Sequence, residues 1–277
     1  AKLIANDGAA DDGFGESVAI SGDYAIVGAW VDDVGANTNQ GSAYVFVRSG
    51  TTWTQQAKLT PSDGATGDFF GESVAIAGDY AIVGAYFDDV GANTNQGSAY
   101  IFSRSGTTWA QQSKLTASDG AADDQFGISV AISGNYAIVG AYRHNVGANT
   151  DQGSAYVFVP SSFISNVWEQ QAKLTASDGA VGDFFGRSVA ISDGYAIVGV
   201  PDDYIGANFD QGSAYAFVRS GTTWSQQAKL TASDGAANDQ FGFSVALSGD
   251  DAIIGAYRDN VDGNTNQGSV YFFSNKQ

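Results

Sequence analysis

Apolar and polar residues follow one another in short segments that return along the chain at a nearly constant interval. In the first copy, Phe14 to Ser21 alternates between the two classes, and Tyr24 to Trp30 is almost continuously apolar. Two further segments of strand length follow, Gly41 to Arg48 and Trp53 to Thr60. Stretches rich in Gly, Asn and Asp separate the four segments. This pattern predicts four short antiparallel strands per copy, since no segment shows helical periodicity.

The dipeptide Phe-Gly marks each copy of the pattern. It recurs at intervals of 56, 56, 59 and 56 residues, at Phe14, Phe70, Phe126, Phe185 and Phe241. A regular repeat of this kind indicates one supersecondary unit that buries its apolar face against its neighbours. Four antiparallel strands per unit favour propeller blades over a solenoid, whose coils are usually shorter. We therefore predict an all-β fold, a five-bladed β-propeller of four-stranded antiparallel blades.

The repeat boundaries indicate a single propeller domain over residues 1–277. The repeats span approximately residues 5–60, 61–116, 117–175, 176–231, and 232–277 together with 1–4. The last copy ends after its third segment, whereas Ala1 to Leu3 matches the end of a fourth segment, Ala57 to Leu59. We expect the N-terminal strand, Ala1 to Ala5, to complete the last blade and close the ring. Lys58 is expected to point outward from the fourth strand and protect its edge.

Composition excludes several classes of function. The chain carries 12 Lys and Arg against 30 Asp and Glu, a formal net charge of −18, which opposes binding to nucleic acid. It has no Cys, so disulfides and thiol chemistry are excluded. No apolar run is long enough for a transmembrane helix, so membrane insertion is not expected. The chain begins with Ala1 and shows no signal peptide, which fits a mature product or a piece of a longer protein.

The order FG, strand, VGA, polar loop and GSAYVF resembles the FG-GAP repeat family. That family includes the integrin α-chain head and various bacterial surface proteins and lectins, all of them β-propellers. The resemblance covers essentially the whole chain in five copies. Many members carry a DxDxDG calcium loop between the first two strands of a blade. Here that place is taken by tight turns such as Ser21-Gly22-Asp23, so the family's calcium ligands do not carry over.

Strand alternation places the links between blades and the long loops after the second strand on one face, which is strongly acidic. Turn chemistry, with each carboxylate accepting backbone N–H groups, is the first interpretation of the Asp in the links. An oxygen-ligand cation site, with Ca²⁺ as the cofactor, is the second. The candidate metal residues are the paired Asp of the five links: Asp7, Asp12, Asp63, Asp68, Asp119, Asp124, Asp178, Asp183, Asp234 and Asp239.

Binding residues are expected on the same face, because long loops on a rigid scaffold usually carry function. Positions just after the second strand differ between copies, as a site for one asymmetric ligand requires, although drift in solvated loops also explains such differences. Aromatic side chains beside carboxylate acceptors suit sugar rings. The candidate ligand-binding residues are Trp30, Asp32, Asp88, His144 and Asp203.

Enzyme chemistry finds little support in the sequence. His144 is the only His, and Glu16 and Glu72 are the only Glu near the expected channel mouth. We therefore predict no catalytic residues and a non-enzymatic binding module, secreted or displayed at the cell surface. A glycan bound at the acidic face, with cation assistance, is the first hypothesis. A scaffold for protein–protein adhesion is the second, a glycosidase is a remote third, and the ring is expected to be monomeric.

Overall fold

The computed structural model describes residues 1–162, 167–192 and 194–274 of the chain. These residues form β-strands, turns and loops, and none of them lies in a helix. Accordingly, this part of the chain contains no long apolar helix that could cross a membrane. It divides into two compact units. The first is Ala1–Ala137 with Val159–Glu169, and the second is Ile138–Phe158 with Gln170–Gln277.

Strands gather in groups that follow the sequence repeat, and neighbours in the chain are neighbours in each sheet. The first sheet contains β1 (Phe14–Ser21), β2 (Tyr24–Ala29), β3 (Ser42–Ser49) and β4 (Thr52–Leu59). The second contains β5 (Phe70–Ala77), β6 (Tyr80–Ala85), β7 (Ser98–Ser105) and β8 (Thr108–Leu115). The third contains β9 (Phe126–Ser133), β10 (Tyr136–Ala141), β11 (Ser154–Pro160) and β12 (Trp168–Leu174).

The remaining two sheets lie in the second unit. The fourth sheet contains β13 (Ser188–Ser192), β14 (Tyr195–Val200), β15 (Ser213–Ser220) and β16 (Thr223–Leu230). The fifth contains β17 (Phe241–Ser248), β18 (Asp251–Ala256) and β19 (Ser269–Ser274), three strands within the described residues. The predicted class, an all-β chain of five antiparallel propeller blades, is confirmed, and the predicted strand limits agree within one residue in the first copy.

The N-terminal segment forms no strand. Residues 1–13 have turns and irregular backbone, so the predicted outer strand from Ala1 to Ala5 has no counterpart among the strands. Instead, Leu3 and Ala5 pack against Tyr44 and Phe46 of the first sheet. This packing gives the segment an anchor that does not depend on strand pairing.

Successive sheets bury their apolar faces against each other, which is how the repeat builds its core. Ile26 and Val45 of the first sheet share a cluster with Val74 and Ile76 of the second, and all four are buried. The backbone of the next FG dipeptide passes close to the preceding sheet, since a Cβ on Gly28 would lie 1.9 Å from the carbonyl oxygen of Gly71. Glycine is therefore required where two blades meet.

The outermost apolar faces of the first and last sheets are exposed. Val18 is 67% exposed, whereas its counterpart Val74 is 6% exposed. In the last sheet Val270 and Phe272 are 70% and 65% exposed. Their counterparts in the first sheet, Ala43 and Val45, are fully buried. Each of these faces has the composition of an inter-blade surface.

A bulge in the fourth strand corrects the prediction for Lys58. The register of β3 and β4 shifts between Val45 and Phe46, so that Ala57 pairs with Val45 and Gln55 with Phe46. One extra residue in a bulge turns the following side chains to the other face. Lys58 therefore points inward, and its Nζ lies 2.7 Å from Oδ2 of the buried Asp32. The prediction of an outward, edge-protecting lysine is wrong.

Candidate functional site

A charged cluster lies beneath the long loop of the second blade. Asp88 is buried, and its Oδ2 accepts hydrogen bonds from Ser98 Oγ at 2.5 Å and Tyr100 OH at 3.1 Å. Lys114 Nζ lies 2.6 Å from the same oxygen and 2.7 Å from Oδ2 of Asp63. Tyr100 OH also donates to Asp63 Oδ1 at 3.0 Å. The buried charges are thus paired and hydrogen-bonded, as such groups must be.

Electrostatics hold Lys114 and Asp63 of this cluster in their charged forms. Burial lowers the pKa of Lys114, but its bonds to Asp63 and Asp88 outweigh burial and raise the pKa above its ordinary value. Burial raises the pKa of Asp63, but the ammonium of Lys114 outweighs it and leaves the pKa lowered. Burial strongly raises the pKa of the Tyr100 phenol, which therefore stays a donor. The arrangement fixes the long loop and the link between blades to one lysine.

The same cluster recurs in the first and fourth blades. Asp32 and Asp203 accept from Ser42 and Ser213 at 2.5 Å each. The corresponding lysine contacts are Lys58 with Asp32 and Asp7, and Lys229 with Asp203 and Asp178, all between 2.7 and 2.8 Å. Three of the predicted ligand-binding residues, Asp32, Asp88 and Asp203, therefore occupy buried anchoring positions.

His144 takes the place of the buried Asp in the third blade. It is buried, its Nδ1 lies 3.1 Å from Ser154 Oγ, and both ring nitrogens lie 3.5 Å from Lys173 Nζ. The predicted site residue His144 is thus the third blade's variant of the repeated cluster.

Trp30, the fifth predicted ligand-binding residue, is half-buried at the end of β2. Its ring lies 5.1 Å from that of Phe69, which in turn lies 6.0 Å from Tyr86 and 5.4 Å from Phe87. These rings form one aromatic cluster in the first unit. Trp30 therefore packs within a group of rings.

The second Asp of each link accepts a backbone N–H three residues before it, and each is buried. The distances lie between 2.5 and 2.7 Å for the N–H groups of Ala9, Ala65, Ala121, Ala180 and Ala236, bound by Asp12, Asp68, Asp124, Asp183 and Asp239. A carboxylate that accepts a nearby backbone N–H is a turn contact, as the first interpretation of the link Asp predicts. Burial raises the pKa of Asp68 to about 6 and also raises those of Asp183 and Asp239.

The first Asp of four of the five links contacts a lysine or a tyrosine in the described structure. Asp7, Asp63 and Asp178 pair with lysines, and Asp234 accepts from Tyr271 OH at 2.8 Å. Asp119 is exposed. Across residues 1–162, 167–192 and 194–274, no three His, Asp or Glu side chains gather in a way that would hold a metal ion. Because Ca²⁺ requires six to eight oxygen ligands, any calcium ion bound by these Asp is held weakly, and calcium binding stays a prediction.

A recess opens above the charged cluster of the second blade. Its volume is about 400 Å³, and its walls include Asp63, Asp68 and Lys114 from the cluster and the link. The rim is polar: Asp89 Oδ1 accepts the Asn95 N–H at 2.8 Å, and Asn95 Nδ2 donates to Asp123 Oδ1 at 2.9 Å. We call this recess the second-blade pocket. The polar groups of its rim thus form hydrogen bonds with one another.

The fourth blade holds a recess of about 480 Å³ at the same repeat position, here called the fourth-blade pocket. Its base repeats Asp178, Asp183 and Lys229. Its rim differs, because Tyr204 stands where the second blade has Asp89, and Phe209 where it has Thr94. Tyr204 is 65% exposed and Phe209 47% exposed, with ring centroids 6.5 Å apart.

A third apolar replacement completes this rim. Val181 stands where the second blade has Thr66, and it is as exposed as Tyr204. The sequence analysis did not select Tyr204, Phe209 or Val181. Alignment of the five copies could have found them, since Tyr204 and Phe209 each replace a polar residue in one blade only, and Val181 replaces Thr of the second copy and Ala of the other three.

The comparisons with known proteins agree with this architecture. The model of the FG-GAP repeat family matches the chain five times, over residues 1–46, 53–102, 109–158, 168–217 and 224–273. Each later match begins at the fourth strand of one blade and ends in the third strand of the next. A search of curated proteins finds no match. FG-GAP propellers are typically non-enzymatic, and the fold supports a protein-binding module of the adhesion type. The chain belongs to the FG-GAP repeat family.

Proposed function

We propose that this protein is a non-enzymatic binding module of the cell exterior, secreted or surface-displayed, that binds a neutral glycan at the fourth-blade pocket. The observation that carries the proposal is the rim of that pocket. Tyr204 lines a recess of about 480 Å³ together with several carboxylates, and the exposed ring of Phe209 lies 6.5 Å from the Tyr204 ring. The four other copies have Asp or Asn at the first position and Thr at the second.

The chemistry of this rim suits sugar rings. A sugar presents weakly positive C–H groups on its flat faces, which pack on the negative faces of aromatic rings. Its hydroxyl groups donate hydrogen bonds, and Asp178 and Asp210 line the pocket as acceptors. Exposure of two aromatic rings to water is unfavourable, and a ligand that covers them removes this cost. The acidic base repels anionic ligands here, so the glycan is neutral.

The only histidine is badly placed for catalysis. A Ser–His pair needs a substrate beside the serine hydroxyl. Ser154 and His144 form such a pair by distance, but both are buried beneath the long loop. The pair is closed to a substrate. This observation supports the non-enzymatic part of the proposal.

A glycan array compares the wild-type chain with the double variant Tyr204→Asp and Phe209→Thr, which restores the second blade's residues. We expect at least a tenfold loss of binding to the neutral glycan that the wild type selects. The reciprocal variant, Asp89→Tyr with Thr94→Phe, places the rings on the second-blade pocket and is the matched control for surface aromaticity. A gain of the same glycan preference there would show that the rim and its base act together.

Protein adhesion is the second candidate function, because the last sheet exposes Val270 and Phe272 on one face. A contiguous apolar face of this kind favours a protein partner. If the wild type selects no glycan on the array and captures a protein that Phe272→Asp no longer captures, the glycan proposal is wrong and adhesion takes its place.

A further inference from the structure

The outer edge of the fifth sheet differs from that of the other four sheets. Its strand order is β17-β18-β19, so β19 is the outermost strand of this sheet in the described chain. In each other sheet the equivalent third strand pairs with a fourth strand outside it. An edge strand presents backbone N–H and C=O groups to which another extended chain can add by hydrogen bonding. The edge of β19 is therefore open to a further strand.

An apolar pocket opens beside this edge, between the fourth and fifth sheets. Its volume is about 340 Å³, and its walls include Phe273 and Ser274 of β19, with Tyr195 and Gln227 of the fourth sheet. Most of the other lining residues are apolar, Leu247 among them. A recess of this kind suits a large apolar side chain that carries one polar atom. We call it the edge pocket.

The equivalent place between the first two sheets is filled by a tryptophan. The ring of Trp109 packs edge-on against Tyr24, with centroids 6.3 Å apart, and its Nε1 donates a hydrogen bond to Gln56 Oε1 at 2.9 Å. The same indole-to-glutamine bond joins the fourth sheet to the third, at 3.0 Å. In the repeat, Tyr195 and Gln227 correspond to Tyr24 and Gln56. The edge pocket is thus lined by the two residues that receive an indole elsewhere in the chain.

A charged cluster along β19 repeats the carboxylates of the other blades. Asp259 is buried, and its Oδ2 accepts hydrogen bonds from Ser269 Oγ and from Tyr271 OH, the latter at 3.2 Å. Tyr271 OH also lies 2.8 Å from Oδ1 of Asp234. In the first, second and fourth blades a lysine of the fourth strand joins the equivalent two carboxylates. Within residues 1–162, 167–192 and 194–274, neither Asp259 nor Asp234 forms an ion pair with a basic side chain.

Asp239 of the preceding link shows the consequence of this difference. It is 1% exposed, and its Oδ1 is buried without a hydrogen-bond partner among the described residues. Burial raises the pKa of Asp239, and the charges of Asp259 and Asp234 raise it further. In the second blade the ammonium of Lys114 opposes the same effect of burial on the pKa of Asp68. The fifth blade thus carries the negative charges of the repeated cluster and leaves a place for one cation.

We propose that β19 binds an extended segment of another protein in which a lysine follows a tryptophan by five residues. The segment adds to the sheet as a fourth strand, its indole enters the edge pocket and donates to Gln227, and its ammonium lies between Asp259 and Asp234. The chain itself uses this spacing in its four-stranded sheets: Trp53 and Lys58, Trp109 and Lys114, Trp168 and Lys173, and Trp224 and Lys229. The site is independent of the proposed glycan site, since it lies along β19 and not at the fourth-blade pocket.

Segments of this chain are less suited to the site. The N-terminal segment contains Lys2 but no tryptophan, and Leu3 and Ala5 pack against the first sheet. The Asn6 N–H also donates to Gln55 Oε1 at 2.9 Å, which holds the segment there. A second copy of the chain has its four tryptophan-to-lysine segments paired within its own sheets. A different protein is therefore the partner that the site fits.

The test uses the full chain and a labelled synthetic peptide with the sequence of Thr222 to Thr231, measured by fluorescence polarisation. We expect saturable binding that the same residues in scrambled order do not show. Peptides with Trp224→Ala or Lys229→Met should each bind about tenfold more weakly, because buried aromatic anchors and paired charges carry most of the affinity at such interfaces. Bound peptide should also raise the Tm of the chain by mass action.

Variants of the chain locate the binding. Tyr195→Ala should weaken peptide binding about tenfold. Tyr80→Ala is the matched control and should bind as the wild type does, since the Tyr80 ring already contacts Trp168 at a centroid distance of 5.5 Å. Asp259→Asn should weaken binding of the original peptide and leave the affinity of the peptide with Lys229→Met unchanged. This pattern separates a contact between lysine and carboxylate from a general loss of folding.

The proposal is wrong if the chain binds the scrambled peptide as well as the original one, or binds neither at millimolar concentration. Unchanged binding by Tyr195→Ala would remove the role of the edge pocket. Tighter peptide binding after deletion of residues 1–5 would assign the edge to the chain's own N-terminal segment, and self-association that the peptide disrupts would assign it to a second copy. The variant with Tyr204→Asp and Phe209→Thr should bind the peptide as the wild type does, so failure at one site is distinguished from failure at the other.

Discussion

The second-blade and fourth-blade pockets share a base and differ at the rim. In both, a lysine joins two carboxylates, Lys114 in one and Lys229 in the other, with contacts of 2.6 to 2.8 Å. At the rim, Asp89 forms a hydrogen bond with the backbone of its own loop, whereas Tyr204 in its place exposes its ring. The repeat thus preserves the charges that hold the loops and varies the groups that face solvent. We infer that stability resides in the base and ligand selection in the rim.

The largest expected effect comes from removing the lysine of the base. Lys114→Met keeps the packing of the stem on Tyr100 but leaves the buried Asp88 without its counter-charge. Breaking one side of such a pair costs about 3 kcal/mol. We expect a loss of that size in the free energy of unfolding, measured by urea denaturation, and the same loss for Lys229→Met.

Lys173→Met is the matched control, because Lys173 faces His144 at 3.5 Å where the other blades have Asp. The loss should be smaller than that for Lys114→Met, because His144 stands where the other blades have the buried carboxylate and no such charge is left uncompensated. Equal losses for Lys114→Met and Lys173→Met would contradict a base held by ion pairs and would leave side-chain packing as its source of stability.

Much of the fold could be predicted from the sequence, because it rests on repetition, whereas the charged base could not. The Phe-Gly spacing and the alternation of apolar residues predict the blades and, in the first copy, the strand limits to within one residue. The inward turn of Lys58 could not be predicted, because a one-residue bulge at β4 reverses the alternation and leaves no mark in composition. The burial of Asp32 could not be predicted either, but for another reason: an Asp in a polar loop is usually solvated.

The rim was missed for a different reason. The divergent positions considered in the sequence lie directly after the second strand, whereas Tyr204 and Phe209 lie further along the same loop. Only the structure shows that these two rings, five residues apart in the chain, have centroids 6.5 Å apart and that Tyr204 lines a pocket. Spatial proximity across a loop follows from its backbone path, which strand patterns do not predict.

The pH dependence of stability gives the next effect in size. Burial raises the pKa of Asp68 from 3.8 to about 6. A carboxyl whose pKa is raised in the folded state contributes stability that is fully present below pH 3.8 and lost as pH rises through 6. Asp68→Asn keeps an acceptor for the Ala65 N–H and does not ionise. We therefore expect the variant to gain about 2 kcal/mol on the wild type between pH 4 and pH 7, measured by thermal unfolding.

Asp63→Asn is the control with the opposite sign. The ammonium of Lys114 lowers the pKa of Asp63, so the stability it contributes is present above pH 3.8 and lost as pH falls below that value. This variant should be less stable than the wild type at pH 7, and the difference in stability should shrink in acid. Parallel pH curves for Asp68→Asn and Asp63→Asn would show that neither carboxyl is coupled to folding. Asp183→Asn tests the same base in the fourth blade, where burial also raises the pKa.

Calcium is expected to give the smallest change in stability. We expect it to bind at the second-blade pocket and not at the fourth-blade pocket. Asp63, Asp89 and Asn95 bring oxygen atoms to the second-blade pocket, whereas the fourth has Tyr204 in place of Asp89. An ion there competes with Lys114 for Asp63, so its binding is weak. By mass action we expect millimolar Ca²⁺ to raise the Tm by about 1 to 3 °C more than Mg²⁺ at equal ionic strength. Asp89→Ala should abolish that difference, and Tyr204→Ala should leave it intact. Equal shifts with the two metals would mean that general screening of the acidic chain, and not a calcium site, accounts for the stabilisation.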